Sequence, residues 1–171
     1  MKREINVFDY AGKILTEVNK AALLTTKAGD QVNTMTIGWG TLGVEWAKPV
    51  FVAFVRQHRH TWKMLQENPE FTISLPLDGD TGNIFGYCGS QSGRDTDKIA
   101  DLGLTLVEPS VISVPAIQEL PLTLECKVIY RQLQDSAAVP ADAKEAFYDD
   151  SIPGDYHEAF YGEIVAAYIA E

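Results

Sequence analysis

A chain of 171 residues is the size of one domain, and residues 1–171 are expected to form a single one. Its composition, 46% hydrophobic and 22% charged, is that of a globular protein able to hold its core without disulfides or a structural metal. The 24 acidic residues against 14 Lys and Arg give a formal net charge of -10. Such a balance disfavours a general nucleic-acid binder, which needs a basic surface, but leaves room for one local cationic pocket.

Cys88 and Cys126 lie far apart and form no CxxC pair, so they read as reduced thiols of a cytoplasmic protein. The opening MKREINVFDY carries charge without the apolar stretch of a secretory signal. No apolar run approaches the ~18 residues of a membrane span. There is no repeat, low-complexity tract or long linker.

In chain order, residues 9–19 (DYAGKILTEVN) predict a helix with Asp9 as N-cap. Ala11, Ile14, Leu15 and Val18 fall at helical spacing there, and Gly12 weakens the helix without ending it. AALLTT predicts a strand, KAGD a turn and QVNTMTIGW (31–39) the returning strand of a hairpin. Residues 49–56, PVFVAFVR, are continuously apolar, as in a strand covered on both faces, with Pro49 at its first position. A short helix is predicted at 61–67 and a strand at EFTISLP. The Gly- and Ser-rich region 79–92 is ambiguous. RDTDKIADLG reads as helical from Asp95, with Gly103 as its stop. LTLVE and residues 120–134 predict strands, residues 140–149 a helix with Pro140 near its start, and FYGEIVAAYIA a final strand. Nothing alternates regularly as βαβα. The predicted fold class is therefore mainly β, a closed or split antiparallel barrel with short helices inserted.

Residues 38–43, GWGTLG, match the dinucleotide-binding pattern GxGxxG literally. The context excludes that reading. The third glycine should open a helix whose N-terminus holds pyrophosphate, but Pro49 follows six residues later. The acidic residue expected about 20 positions on is replaced by the basic region around Arg59. These glycines serve instead to turn the backbone or to let something flat lie close to it.

Residues 56–63, RQHRHTWK, hold two Arg, two His and one Lys without an acid. Thr61 stands just before a predicted helix. A hydroxyl, free N–H groups at a helix start and a nearby Arg suit a phosphate. An exposed basic turn with Thr61 as an ordinary N-cap accounts for the same residues. His58 and His60 form an HxH pair with no third ligand at fixed spacing, so no metal site is expected. A second donor-rich stretch, SQSGRDTDK (90–98), offers Ser90, Ser92, Arg94 and Lys98 but is not a Walker loop.

Taken together, NTMTIGWG, PVFVAFVRQHRHT, SGRDTDK and the C-terminal HEAFYGEIVAAY resemble the flavin reductase-like family, nearest its flavoredoxin-like branch. The resemblance covers nearly the whole chain and implies an FMN-binding split barrel. By that resemblance, Asn33, Thr34, Met35 and Thr36 hold the isoalloxazine edge, and Trp39 and Gly40 continue that wall. Arg56, Arg59 and Thr61 match an R-x-x-R-x-T element on the phosphate and ribityl side, and Ser92, Arg94 and Lys98 match a second phosphate-side loop. His157 is a candidate for the substrate side, though a surface or interface histidine fits as well. The resemblance also implies a homodimer with FMN near the subunit interface.

A two-residue period puts Asn33, Met35, Ile37 and Trp39 on one strand face and Thr34, Thr36, Gly38 and Gly40 on the other, with either face able to meet a ring. The leading expectation is an FMN-dependent oxidoreductase with NAD(P)H as hydride donor. The alternatives are a flavoredoxin-type carrier reduced by a redox protein partner, a pyridoxamine phosphate oxidase relative, and a non-catalytic flavin- or haem-binding module.

Overall fold

The structure is a computed structural model and describes residues 1–78 and 81–171. Eight strands make one antiparallel sheet: β1 (Lys2–Glu4), β2 (Ala22–Ala28), β3 (Gln31–Ile37), β4 (Gly40–Glu45), β5 (Lys48–Arg56), β6 (Glu70–Leu75), β9 (Leu122–Leu133) and β10 (His157–Ala170). Between β6 and β9 the chain forms a separate two-stranded ribbon of β7 (Leu106–Val107) and β8 (Ala116–Ile117). The order across the main sheet is β3-β2-β6-β9-β10-β5-β4, with β1 on the free edge of the C-terminal half of β10. The sheet does not close by hydrogen bonds. Yet its two end strands, β3 and β4, are joined by Gly38 and Trp39 alone. A linker that short forces the sheet to curl until its ends nearly meet.

The concave side holds the main core, including Leu24, Phe51, Phe71, Ile73, Leu124 and Phe160. Helix α1 (Ala11–Lys20) adds Ile14 and Val18 to it, and α2 (His60–Glu67) adds Leu65. The run 49–56 is buried through Val50–Ala53 and at Val55, as its continuous apolarity requires. The convex side is covered too, which explains a row of fully buried hydroxyls. Thr72 Oγ1 donates to the Pro115 carbonyl at 2.8 Å, and Ser74 Oγ accepts from the Ile117 N–H at 3.3 Å. Buried Glu125 accepts from three successive N–H groups, of Ser110, Val111 and Ile112, at 2.6, 2.8 and 3.2 Å. The segment over this face is thus held by polar side chains of the sheet.

Several boundaries differ from the sequence reading for identifiable reasons. Residues Val7–Tyr10 form a 3-10 turn capped by Asn6, whose side chain accepts from Phe8 N, so Asp9 is not a cap and α1 starts at Ala11. Residues 31–39 are not one strand, because the chain turns its corner at Gly38–Trp39. GWGTLG then opens a β4–β5 hairpin, confirming that no helix follows it. The hairpin turns at Trp46 and Ala47, both at positive φ (49° and 59°), a primed turn made without glycine and hence without its sequence signal. The ambiguous region contains α3 (Ile84–Ser90), while residues 79 and 80 lie outside the described residues. Helix α4 (Lys98–Leu102) starts three residues after Asp95. Asp95 and Thr96 turn back onto the Ser92 carbonyl, and Asp97 is the cap, accepting from the N–H groups of Ile99 and Ala100. Gly103, at φ 62°, stops it as expected. LTLVE supplies only the two residues of β7. Residues 140–149 supply α5 (Ala141–Phe147), with Pro140 at its N-cap.

Register shifts mark β10 at Tyr161/Gly162 and Ile164/Ala166, where the long strand bends. A Cβ on Gly162 would sit 2.5 Å from Phe71 Cζ and 2.8 Å from Cys126 Cβ, in the centre of the core. Gly162→Ala is predicted to destabilise the protein by about 1–3 kcal/mol, read as a lower urea midpoint at unchanged slope. An unchanged midpoint would mean that the core yields there at no cost.

Candidate functional site

The Gly38–Trp39 corner opens onto two adjoining hollows. One, of about 190 Å³, lies against Met35–Trp39, Phe54, Arg56, Arg59 and His157. The other, of about 160 Å³, lies against Asn33, Thr61, Ser92, Arg94 and Lys98. Met35, Thr36 and Arg59 line both. Each alone is below the roughly 300–1,000 Å³ of a small-molecule site, whereas joined end to end they reach it.

The long wall is β3, the last strand of the sheet. An edge strand leaves alternate N–H and C=O groups without a strand partner. Five consecutive residues, Met35 to Trp39, line the first hollow, so the strand offers its backbone edge rather than one of its two faces. Side chains on both faces hold that edge in place. Asn33 Nδ2 donates to Thr61 Oγ1 at 3.1 Å, both residues being buried. Thr36 Oγ1 donates to the Phe85 carbonyl of α3 at 2.7 Å, and Thr34, fully buried, donates to the Leu24 carbonyl at 3.3 Å. Thr61 lies in the first turn of α2, with Arg59 as N-cap.

The second hollow concentrates positive charge. Arg59 and Arg94 are exposed, and Arg94 Nη2 donates to the His58 carbonyl at 2.5 Å. Lys98 is only 4% exposed. Its Nζ donates to the carbonyls of Cys88 and Gln91 at 3.3 and 3.2 Å, and burial holds its pKa below the usual lysine range. None of the three cations has a carboxylate within ion-pair distance among the described residues. Beside them, His60 Nδ1 is buried without any hydrogen-bond partner, while Nε2 meets Gln31 Oε1 at 3.3 Å. Burial, and then the charge of Arg94, depress the His60 pKa. Uncompensated cations around an orphaned buried nitrogen suit an anion.

The first hollow ends in an ordered aromatic cluster. Trp39, 42% exposed, meets Phe147 edge-on at 5.0 Å and His157 at 5.1 Å. His157 is buried, and burial, then the Arg56 charge, depress its pKa to about 4. Gln134 Oε1 accepts from the His157 backbone N–H at 3.3 Å and from the Tyr148 hydroxyl at 2.9 Å. With its proton used there, the Tyr148 oxygen accepts from His157 Nδ1–H at 2.8 Å. This network assigns His157 the Nδ1–H tautomer, with Nε2 carrying the lone pair. The Arg56 guanidinium is committed to the segment after α5. It pairs with Asp155 and donates to the Phe147 carbonyl at 2.8 Å. Burial alone would raise the Asp155 pKa, but the Asp149 N–H, Arg56 and His58 together hold it below the ordinary value.

The fold therefore brings Asn33, Met35, Thr36, Trp39, Arg56, Arg59, Thr61, Ser92, Arg94, Lys98 and His157 to one cleft. Four expectations change. Thr34 points into the covered side of the sheet and lines neither hollow of the cleft. Gly40 lines neither of these two hollows, and its lack of a side chain answers a core constraint, since the Phe51 ring would meet its Cβ at 2.5 Å. Arg56 sits at the Trp39 end, neutralised by Asp155, apart from Thr61. Thr61 is inside α2, not its cap. Sequence reasoning weighed His60 only as half of an HxH pair, and it missed Gln134, Tyr148 and Asp155. The last three belong to a long connection whose return to the site has no local signal.

The chain matches the family described as flavin reductase like domain over residues 18–171. Among curated relatives, a protein of Archaeoglobus fulgidus is 26% identical over 125 residues, 73% of this chain and 66% of that one. The match thus spans just under two thirds of that relative's length. Among solved structures, the flavoredoxin of Desulfovibrio vulgaris (Miyazaki F) superposes with a TM-score of 0.67 at 24% identity, covering 88% of this chain and 69% of that one. An FMN-binding domain of a flavin reductase-like enzyme from Shewanella baltica superposes with a TM-score of 0.67 at 18% identity, covering 99% and 78%. The chain belongs to the flavin reductase-like family. Its curled, unclosed antiparallel sheet is the split barrel of those neighbours.

The His157 environment makes a pH prediction. The unfolded chain protonates this histidine near 6.5 and the folded one near 4, so stability is full above pH 6.5 and is lost as pH falls toward 4. The loss amounts to at most about 3 kcal/mol. Unfolding free energies of wild type and His157→Gln from urea titrations between pH 7 and 4 should converge by up to that amount as pH falls. Parallel curves would refute a neutral, buried His157.

Proposed function

We propose that this chain is an FMN-dependent oxidoreductase that takes reducing equivalents from NAD(P)H. The observation that carries the reading is the trio Arg59, Arg94 and Lys98, without a carboxylate partner among the described residues, gathered beside Thr61, Ser92 and His60 in a protein of net charge -10 and continuous with an open strand edge. Arg59, Arg94 and Lys98 would hold the phosphate dianion of FMN, with the Thr61 and Ser92 hydroxyls beside them. The β3 edge at Met35–Trp39 would offer backbone hydrogen bonds to the flavin ring, and Trp39 would cover one end. Bound FMN would supply the redox chemistry, and these residues would hold and orient it. Arg59, which lines both hollows, would provide positive charge for the reduced ring. His157 Nε2, uncharged at neutral pH, would accept a hydrogen bond on the substrate side. Homodimerisation belongs to this reading, since exposed Trp39 and Phe147 flank the cleft and a second copy would shield them.

A flavoredoxin-type carrier is the second reading. It is favoured by the acidic surface, which would steer a basic redox protein partner toward the cleft. Anaerobic stopped-flow mixing of the FMN-loaded protein with NADH and with NADPH separates the two. Bleaching of the flavin band by either nucleotide is the expected result, and bleaching by neither would leave only the carrier. Arg59→Ala should weaken FMN binding by about 1.5–3 kcal/mol, read by flavin fluorescence quenching. Unchanged affinity would make RQHRHT a surface turn.

A further inference from the structure

His60 opens α2 beside the three cations of the second hollow, and its neighbours fix its tautomer. Gln31 Nε2 donates to the Gly93 carbonyl at 3.2 Å. A carbonyl only accepts, so the Gln31 amide cannot be flipped and its Oε1 faces His60. That oxygen, 3.3 Å from His60 Nε2, only accepts as well, so Nε2 carries the ring proton. The neutral ring then has its lone pair on Nδ1, the nitrogen that is buried without a partner among the described residues. A phosphate brings further acceptor oxygens and two negative charges to the same hollow. Against these a lone pair on Nδ1 is mismatched, whereas an N–H there is a donor.

The surrounding charges explain why the protein alone keeps this ring neutral. Burial comes first, then Arg94, Lys63 and Lys98, with Glu67 opposing, and together they hold the His60 pKa below its ordinary value. The hollow adds Arg59, His58, whose Nε2 meets Asp155, and the Cys88 thiol, which burial keeps protonated. As the first residue of α2, His60 also sits at the positive end of a helix. A dianion among Arg59, Arg94 and Lys98 offsets that positive charge and provides an acceptor, so both obstacles to the ring proton fall together.

We propose that anion binding in this hollow is proton-coupled: His60 takes one proton from solvent onto Nδ1 for each phosphate bound, and the imidazolium so formed donates to a phosphate oxygen. The ligand assumed rests on the flavin-phosphate reading of the hollow; the coupling adds a pH control on how firmly that ligand is held. The complex holds a proton that the free protein lacks. Affinity for a dianion is therefore highest at low pH and falls, by up to about tenfold per pH unit, as pH rises from the free toward the bound value of His60.

The test follows the imidazole nitrogens of the full chain by ¹⁵N NMR, the His60 signals being those that His60→Gln removes from the set of three histidines. Sulfate is the first probe, because it stays a dianion at every pH used and carries no ring, and FMN is the second. Near about pH 7.5 the free protein should show Nε2–H and an unprotonated Nδ1 at His60, and with either anion bound both nitrogens should be protonated. Sulfate affinity of the wild type should fall by up to about tenfold per pH unit between about pH 6 and 8.5. His60→Gln keeps an N–H donor but does not titrate, so its affinity should vary less with pH, and the dispersion of its spectrum reports that it is folded. Sulfate binding that protonates His60, without binding of FMN, would remove the flavin reading and leave the coupling standing. FMN binding to a His60 that stays neutral would do the reverse. The proposal is also overturned by a neutral His60 in the sulfate complex, an Nδ1–H tautomer in the free protein, equal pH slopes for wild type and His60→Gln, or no saturable binding of either anion.

Discussion

Two residues, Gly38 and Trp39, join the opposite ends of an antiparallel sheet. That constraint organises the rest of the molecule. A sheet so joined has to curl, and because β3 and β4 do not pair, the curl leaves a cleft along the β3 edge. An exposed edge is ordinarily a liability. Here α3 packs on β3 through Thr36, α2 through Asn33 and Thr61, and Trp39 stands at the open end. What remains accessible is a short, rigid row of backbone groups with side-chain support on both faces. A planar heterocycle with donors and acceptors around its rim is the kind of ligand such a row recognises.

Electrostatics divides the cleft in the same way. The chain is acidic, yet its buried carboxylates are used elsewhere. Glu158 binds Arg131 and Trp62, Glu17 binds Lys13 and Lys20, and Asp155 binds Arg56 and His58. Pairing in those places leaves Arg59, Arg94 and Lys98 without a carboxylate among the described residues. For Lys98 the cost of burial is opposed, among the described residues, by two long hydrogen bonds to backbone carbonyls, and its depressed pKa records it. An incoming dianion would relieve that cost. At the other end Arg56 is neutralised, His157 is neutral and aromatic rings dominate. One end of the cleft is thus suited to a phosphate and the other to a neutral ring.

Much of this was legible in the sequence. The apolar run 49–56 and the hairpin around KAGD gave three strands, β5, β2 and β3, because pattern and turn residues act locally. The failure of GWGTLG as a nucleotide motif was legible from Pro49 downstream. The basic stretch 56–63 stood out against an acidic background. Convergence was not legible: nothing local tells that Asn33 reaches Thr61, or that Gln134, Tyr148 and Asp155 return to Trp39 and Arg56. The Trp46–Ala47 turn was hidden because neither residue advertises a positive φ. Sequence cannot tell a bare α-carbon facing Phe51, as at Gly40, from one facing a ligand. Neither face of β3 alone lines the first hollow, since the strand presents its edge there.

If the cleft between Gly38–Trp39 and the start of α2 is one continuous flavin site, an FMN titration followed by backbone amide shifts should show it. Saturable perturbations are expected at Met35–Trp39 together with Thr61 and Ser92–Arg94, all following one binding curve. Perturbations confined to one of these groups, or centred on strands remote from the corner such as β7 and β8, would contradict it.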